Sequence, residues 1–466
     1  MIDIQILPEL FFISSTMCLL LLGIVLHSRT INLLALSITI ITFILLILTI
    51  DTHEIFILNS LLKLNCYIRY AQLLVLTTGI LILLLLYLSK THYKYEVSIL
   101  ILLSIFGMLN VIASNSFISF YLSFELMNLS LYILTAYNKD SQYSCEAGIK
   151  YFILSILSSC IMLYGISLIY GYTGKVNFSE ISIFYTNNQI SYGLLFGLLF
   201  IIIALCFKLA IAPFHIWVPD VYQGAPTIIT AFFSTSPKVT LVTFLIRFLN
   251  EELISIGQNF QPIFLCCALL SVLLSSFGAL HQRNMKRLLA YSSIGHVGFI
   301  LASLSVFTQE GISSALIYLL IYVITTVGLF AFFIQIDDDD CNITHLSSMR
   351  IKSPVLAFHM SILFLSMSGL PPLAGFFAKL FVFNSLIQSG YFITSVILAI
   401  SSIISCYYYL NIIKMIYFDH AVDEQINYSQ TLIYVISLIS LLNILCFIFL
   451  DKISWFINSL TIGLIK

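Results

Sequence analysis

Four ionisable residues lie deep inside long apolar stretches of this sequence. Glu125 lies in "FISFYLSFELMNLSLYIL", Lys208 in "IIIALCFKLAIAPFH", Lys238 in "IITAFFSTSPKVTLVTFLI" and Lys379 in "GLPPLAGFFAKLFVF". A charge at the centre of a membrane helix costs about 2.5–3.5 kcal/mol, so four isolated charges would cost roughly 10 kcal/mol. That is a large part of the usual net stability of a protein. We therefore expect these side chains to face one another, water or freed backbone groups.

A lysine and a glutamate on two different spans can control the binding of a proton. Burial in a medium of low dielectric and a nearby opposite charge act on the proton affinity of an amine in opposite directions. Movement of a carboxylate toward or away from a buried amine would therefore make the amine bind or release a proton. We predict Lys208 as the switched site and Glu125 as its modulator.

Each charge also has a simpler explanation. A long lysine near the end of a span can extend its head to the membrane surface, and this applies most readily to Lys238. Glu125 could pair with a neighbouring span and serve only to hold the two together. Neither explanation accounts for three lysines and one glutamate that are each central in a span of their own.

Two of the lysines lie beside prolines. Lys208 precedes Pro213, and Lys379 follows Pro371 and Pro372. Proline within a helix removes a backbone hydrogen bond, and non-helical backbone at membrane depth is tolerated only inside protein or beside a water-filled cavity. Broken helices that hold ions at the break are typical of transporters. His296, well inside another span, is a candidate proton relay because imidazole titrates near neutral pH; a purely structural role for it is equally open.

The composition places these residues in a membrane. Of the 466 residues, 60% are hydrophobic and 9% are charged, whereas soluble domains carry about 25% charged residues. Runs long enough for spanning helices recur along the chain. The sequence therefore predicts an all-α polytopic membrane protein with about fourteen spans and two inverted five-helix repeats, broken in the seventh and twelfth helices. The predicted spans are 6–26, 31–50, 70–89, 96–114, 117–137, 147–171, 192–218, 227–248, 257–280, 288–307, 312–335, 354–388, 391–417 and 431–450.

We divide this single membrane domain into four parts. Residues 1–95 form an N-terminal three-helix extension, 96–250 the first repeat, 251–418 the second repeat, and 419–466 a C-terminal helix. The acidic run from Asp337 to Asp340 is predicted to be a solvated loop. Loops after odd-numbered spans carry the larger share of lysine and arginine, which favours the cytoplasm or the mitochondrial matrix for that side.

Charge and cysteine content exclude several other classes of protein. The 20 lysines and arginines against 21 acidic residues form no excess that would favour nucleic acid as a partner. The ten cysteines are scattered and form no Cys-x-x-Cys pair, which argues against metal or iron–sulfur sites. Abundant isoleucine, phenylalanine and tyrosine hint at an organellar genome. We therefore expect the mitochondrial inner membrane, with the bacterial plasma membrane as the alternative.

Five segments together resemble the antiporter-like membrane subunits of respiratory NADH:ubiquinone oxidoreductase (complex I). The five segments cover about residues 115–385. Two details are similar to one type of these subunits, known as chain 2. They are Ser236-Pro237-Lys238 in the eighth span and Lys379 in the twelfth span, where another type of these subunits has glutamate. The segments are "SFELMNLSLYIL", "EAGIKYFILS", "FKLAIAPFHIWVPDVYQGAPTIITAFFSTSPK", "NMKRLLAYSSIGHVGF" and "GLPPLAGFFAKLFVF".

The resemblance implies a proton-translocating subunit of an NADH:ubiquinone reductase, with no redox chemistry in this chain. It implies that Glu125 and Lys208 form the modulated pair, that Lys238 and His296 lie on a central proton axis, and that Lys379 connects to the exit side. It also implies that this chain binds no cofactor, and that NADH, FMN, iron–sulfur clusters and ubiquinone belong to partner subunits.

The implied partners are the other membrane-arm subunits, including neighbouring antiporter-like ones, and membrane lipids. Two other functions stay open. The chain could belong to a stand-alone cation/proton antiporter, which shares the broken-helix segments. It could also be a passive membrane anchor, in which case its four buried charges would tolerate neutral replacement.

Overall fold

The computed structural model describes residues 5–50, 53–89, 93–187, 191–253, 257–334, 342–347, 349–419 and 429–461. The acidic run Asp337 to Asp340 lies outside these ranges. Within them the chain forms nineteen α-helices, a two-stranded hairpin and short 3₁₀ and π turns. The helices are α1 Leu7–Leu22, α2 Ser28–Leu48, α3 Cys66–Leu88, α4 Tyr95–Ala113, α5 Phe117–Thr135, α6 Gln142–Thr173, α7 Phe178–Asn187, α8 Tyr192–Lys208, α9 Trp217–Gly224, α10 Thr227–Arg247, α11 Gln261–Ala279, α12 Met285–Leu304, α13 Gln309–Phe333, α14 Met349–Lys352, α15 Pro354–Ser368, α16 Ala374–Gln388, α17 Phe392–Phe418, α18 Gln430–Ile448 and α19 Leu450–Thr461.

The long helices coincide with the predicted spans. Eleven helices in the described ranges are long and apolar enough to cross a membrane. They occupy eleven of the fourteen predicted spans, and four shorter apolar helices occupy the other three: α1, α8, and α15 with α16. The prediction of a polytopic helical membrane protein is confirmed, and the count of fourteen crossings stays a prediction.

Both predicted breaks are present. Helix α8 ends at Lys208, and the next helix begins only at Trp217. Helices α15 and α16 are separate, so the predicted twelfth span is two helices rather than one. A cis peptide bond precedes Pro213 in the first break and Pro372 in the second. The lysine lies before the first break and after the second, as the sequence indicated.

A short hairpin adds strands to an otherwise helical chain. Strand β1 (Ile55–Ile57) pairs antiparallel with β2 (Leu62–Leu64), with Ile55 opposite Leu64. The three turn residues Leu58, Asn59 and Ser60 all have positive φ angles of 52–65°, which let the chain reverse direction within a few residues. The sequence analysis did not predict this hairpin, because a three-residue strand is too short to show a periodic pattern.

Capping side chains set the beginnings of several helices. Asn65 accepts a hydrogen bond from the Ile68 amide, so α3 begins at Cys66, four residues before the predicted span. Ser116 and Ser119 form a reciprocal capping box at the start of α5, and Ser191 caps α8. Each cap satisfies a backbone amide that a helix start would otherwise leave unpaired.

The chain divides into two compact units. The first contains α1 to α8 and the C-terminal part of α10 from residue 235, and the second contains α9, the start of α10 and α11 to α19. Glu125, Lys208 and Lys238 belong to the first unit, and His296 and Lys379 belong to the second. The predicted repeat boundaries near residues 95, 250 and 418 remain predictions.

Candidate functional site

In the first unit, Lys208 ends α8 inside a cage of aromatic rings. Its Nζ lies 5.6 Å from the ring centre of Phe124, 5.2 Å from that of Tyr132 and 5.0 Å from that of Tyr151. Ring faces attract a cation electrostatically, so the cage can hold a protonated amine that is only 7% exposed. The Nζ also donates to the Tyr132 hydroxyl at 3.5 Å.

The helix ends at this lysine because the backbone changes direction directly after it. Ala210 has a φ of 62°, in the left-handed region that an L-residue adopts at a cost. Pro213 then prevents the helix from continuing. The apolar helix α8 therefore carries Lys208 to the break and places the ammonium group there.

Glu125 lies on α5 and does not form a direct ion pair with Lys208. Its Oε1 accepts a hydrogen bond from Ser159 Oγ at 2.5 Å. The ion pairs within 4.0 Å in the described part of the chain join other residues. Glu125 nevertheless lies close enough to interact electrostatically with Lys208, so the structure brings carboxylate and amine into one neighbourhood without a direct ion pair.

Lys238 lies in the middle of α10 and is only 3% exposed. Every residue in the most apolar 18-residue window of this helix is buried. Its neighbour Ser236 shares a hydrogen bond with Thr78 of α3 at 2.8 Å. Burial at the centre of a fully covered helix argues against the explanation that the lysine extends to the membrane surface.

In the second unit, Lys379 binds the end of the helix before the second break. Its Nζ donates to the Ser368 carbonyl oxygen at 2.7 Å and lies 5.6 Å from the ring centre of Phe299. Ser368 is the last residue of α15, where carbonyl groups lack partners within the helix. Lys379 therefore faces a freed backbone group, as expected for a buried charge beside a helix break.

His296 is surrounded by hydroxyl groups on α13 and α17. Its Nδ1 lies 2.8 Å from the Tyr318 hydroxyl, and its Nε2 lies 3.5 Å from the Tyr409 hydroxyl. Tyr409 in turn hydrogen-bonds Ser292, one turn before His296 on α12. The imidazole is thus part of a chain of groups that can both give and accept a proton.

Two small cavities connect His296 with Lys379. Both residues line one small cavity together with Tyr318 and Tyr322. Both also line a second small cavity together with Tyr408 and Tyr409. The structure therefore brings the predicted relay histidine and the predicted exit lysine to the same two cavities.

The sequence analysis missed the hydroxyl groups of these sites. Tyr132 and Ser159 lie at the first-unit pair, and Tyr318, Tyr409 and Ser292 lie at the second-unit histidine. In a chain with 26 tyrosines, no single tyrosine stands out. Their spacing offers a weak signal, since Tyr132 follows Glu125 by seven residues and so shares its helix face.

Two buried arginines of the first unit were also missed. Arg69 binds Glu9 at 2.6 Å in the N-terminal extension. Arg247 binds the carbonyl oxygens of Ile112 and Ser114 at the end of α4. Both lie near the ends of apolar stretches, where the sequence favours a solvated charge.

These arrangements contain amine, carboxyl, imidazole and hydroxyl groups, all of which can bind and release protons. The family model described as "NADH:quinone oxidoreductase/Mrp antiporter, TM" matches residues 114–405. The chain belongs to this family. The matched range includes both helix breaks and all five predicted site residues, so these five residues lie within the segment that the family shares.

Individual relatives are similar over nearly the whole chain. NADH-quinone oxidoreductase subunit N of Wolbachia sp. subsp. Brugia malayi is 62% identical over 98% of this chain and 99% of its own length. A chain of respiratory complex I from Thermus thermophilus, solved with bound aureothin, has a TM-score of 0.84 at 26% identity, covering 96% of this chain and 98% of that one. A chain of the Mrp complex from Dietzia sp. has a TM-score of 0.89 at 17% identity over 100% and 98% of the two chains, which shows the shared fold.

Proposed function

We propose that this chain moves protons across the membrane as the antiporter-like subunit of respiratory complex I. The observation that carries the proposal is the caged Lys208, with Glu125 nearby but not in direct contact. An amine that already forms a tight ion pair has little freedom to exchange its proton. An amine beside a carboxylate at a distance can bind or release a proton when that distance changes.

The second unit supplies a matching set of groups. Lys379 and His296 line two shared cavities, and the histidine lies beside two tyrosine hydroxyls. Imidazole and hydroxyl groups both give and accept protons. These residues support a second proton-binding site, with His296 as a relay and Lys379 as the group that connects to the exit side.

We infer the reaction that drives proton transport, and the partners of this chain, from the 62%-identical relative. That relative is named as a subunit of NADH-quinone oxidoreductase. In this proposal the other subunits bind NADH, FMN, iron–sulfur clusters and ubiquinone and carry out the electron transfer. This chain binds none of them and contributes proton translocation. Its partners are the neighbouring membrane-arm subunits and the surrounding lipids.

The membrane in question is the bacterial plasma membrane or a mitochondrial inner membrane. The similar chains named above come from bacteria, which favours the bacterial plasma membrane. The alternative function, part of a stand-alone cation/proton antiporter, draws support from the likeness to the Mrp chain. The 62% identity to a complex I subunit favours the first function.

Replacement of Lys208 by alanine tests the proposal. The Lys208→Ala chain would be expressed in a bacterial host that lacks its own copy of this subunit. Lys150→Ala is the matched control, because Lys150 is an exposed lysine paired with Glu146 on α6. Native gels stained for NADH oxidation, with mass spectrometry of the band, report assembly. Vesicle acidification per NADH oxidised reports pumping.

We expect both variants to assemble and only Lys208→Ala to pump fewer protons per NADH. Normal stoichiometry in an assembled Lys208→Ala complex would contradict the role of this lysine. If the wild-type chain migrates only in a small band without NADH oxidation, the antiporter function replaces the proposed one.

A further inference from the structure

The first-unit site contains hydroxyl groups bound to Lys208 at one end and to Glu125 at the other. Lys208 Nζ donates to the Tyr132 hydroxyl at 3.5 Å. Ser159 Oγ donates to Glu125 Oε1 at 2.5 Å. The Tyr132 hydroxyl lies near the hydroxyls of Ser155 and Ser159 on α6 but forms no hydrogen bond with either of them in this structure. The amine and the carboxylate, which do not touch, are thus each bound to one of two neighbouring hydroxyl groups.

The helices present these groups on facing surfaces. On α5, Glu125, Asn128 and Tyr132 follow the three- and four-residue spacing that places side chains on one face. On α6, Ser155 and Ser159 are one turn apart. Asn128 is fully buried and its amide atoms have no hydrogen-bond partner in the described chain, nor does Ser155 Oγ. Buried polar groups therefore lie on both helices at this site.

Resting on the function proposed above, we propose that Tyr132 and Ser159 form a hydroxyl relay through which Lys208 and Glu125 exchange a proton. Lys208 gives a proton to the Tyr132 oxygen while Tyr132 gives its own proton to the Ser159 oxygen. Ser159 gives its proton to Oε1 of Glu125. The amine ends neutral, the carboxyl ends protonated, and both hydroxyl groups are restored. The reverse sequence of transfers recharges the pair.

The aromatic cage and the hydroxyl relay have different functions at this site. The rings of Phe124, Tyr132 and Tyr151 hold the cation by their faces. The Tyr132 hydroxyl lies at hydrogen-bond range of Nζ and near Ser159. Tyr132 therefore has two separable roles, one in its ring and one in its oxygen atom.

Substitutions at Tyr132 separate these two roles. Tyr132→Phe removes only the oxygen, whereas Tyr132→Leu removes the ring as well. The matched control is Tyr164→Phe, because Tyr164 lies on α6 with an exposed side chain outside the site. At the second relay position, Ser159→Ala removes the hydroxyl and Ser159→Thr retains it. All five variants would be measured in the assembled complex for NADH-driven proton pumping and for its solvent deuterium isotope effect.

We expect Tyr132→Phe and Ser159→Ala to assemble normally and to slow proton-coupled turnover by about tenfold or more, since positioned proton transfer contributes roughly 10²–10⁴-fold. Ser159→Thr should restore the rate, and Tyr164→Phe should match the wild type. If Tyr132→Phe pumps normally while Tyr132→Leu does not, the ring alone matters and the relay is refuted. Normal pumping by Tyr132→Phe beside a defective Lys208→Ala overturns the relay and leaves the proposed function intact.

Discussion

Gly369 and Lys379 meet closely at the second helix break. Gly369 directly follows the last residue of α15 and has a φ of 83°, a conformation that favours glycine. A Cβ atom added there would lie 2.8 Å from Lys379 Cδ and 3.1 Å from its Nζ. The missing side chain thus leaves the space in which the lysine reaches the Ser368 carbonyl.

Gly369→Ala should therefore disturb Lys379 as well as the backbone. A left-handed alanine costs about 1–2 kcal/mol, and the added methyl group must also displace the lysine head. Gly390→Ala is the matched control, because Gly390 has the same φ of 83° and no atom within 4 Å of the added Cβ. We expect both variants to lose similar backbone stability and only Gly369→Ala to lose most of its proton pumping, measured as vesicle acidification per NADH. Equal pumping by the two variants would contradict the steric role of Gly369.

The sequence identified charged residues far better than their polar neighbours. Glu125, Lys208, Lys238 and Lys379 stand out because only 9% of the chain is charged. Their burial was predictable, and the structure agrees for the three lysines. Tyr132 and Ser159 were not predictable, since their importance depends on how α5 and α6 pack, and packing leaves no mark on residues this common.

At the scale of helices, a buried ion pair joins α1 and α3 in the N-terminal extension. Arg69 Nη1 binds Glu9 Oε1 at 2.6 Å, with side-chain exposures of 2% and 12%. Arg69 also donates to Gln72 and to the Gln5 carbonyl oxygen. Removal of the counter-charge of a buried cation is strongly destabilising, because it leaves an uncompensated charge in the low-dielectric interior.

Glu9→Ala should destabilise this extension. Removal of one partner of a buried pair costs about 3–5 kcal/mol, and the remaining bonds of Arg69 place this case at the lower end. Glu146→Ala is the control, because Glu146 pairs with Lys150 at the same 2.6 Å distance but with 59% and 39% exposure. An exposed pair of this kind is worth about 0.3–0.5 kcal/mol. The two variants would be compared by heating the solubilised complex and measuring the temperature at which this chain is lost from the native-gel band. Equal midpoint temperatures for Glu9→Ala and Glu146→Ala would contradict the prediction.

The long apolar runs of the sequence located the spanning helices more reliably than the ends of those helices or the helices that are not apolar throughout. Eleven predicted spans coincide with long helices. The C-terminal part contains two helices, α18 and α19, where one was predicted. Helix α19 was missed because it is amphipathic rather than apolar, with exposed Trp455 beside buried Ile457. A search for apolar runs cannot detect a helix that buries only one side.

At the scale of the whole molecule, the order of the spans fixes which loops share a side. Helix α6 has 32 residues, which corresponds to about 48 Å at 1.5 Å per residue. That length exceeds the roughly 30 Å hydrocarbon core of a bilayer. The loop that contains Lys139 precedes α6, and Lys175 follows it. Both lysines are exposed, so they should lie on opposite sides of the membrane.

Single cysteines at these two positions test the predicted orientation. Lysine and arginine are enriched in loops after odd-numbered spans, so the Lys139 loop should face the cytoplasm. A membrane-impermeant maleimide should label Lys175→Cys in intact cells and Lys139→Cys only in inverted vesicles. All ten native cysteines would be replaced by alanine in both variants. Reversed labelling would show that the chain is inserted the other way. Labelling of both positions from one side would show that α6 does not cross the membrane. Every later loop would then lie on the side opposite to the predicted one. The exit to which Lys379 connects would change sides as well.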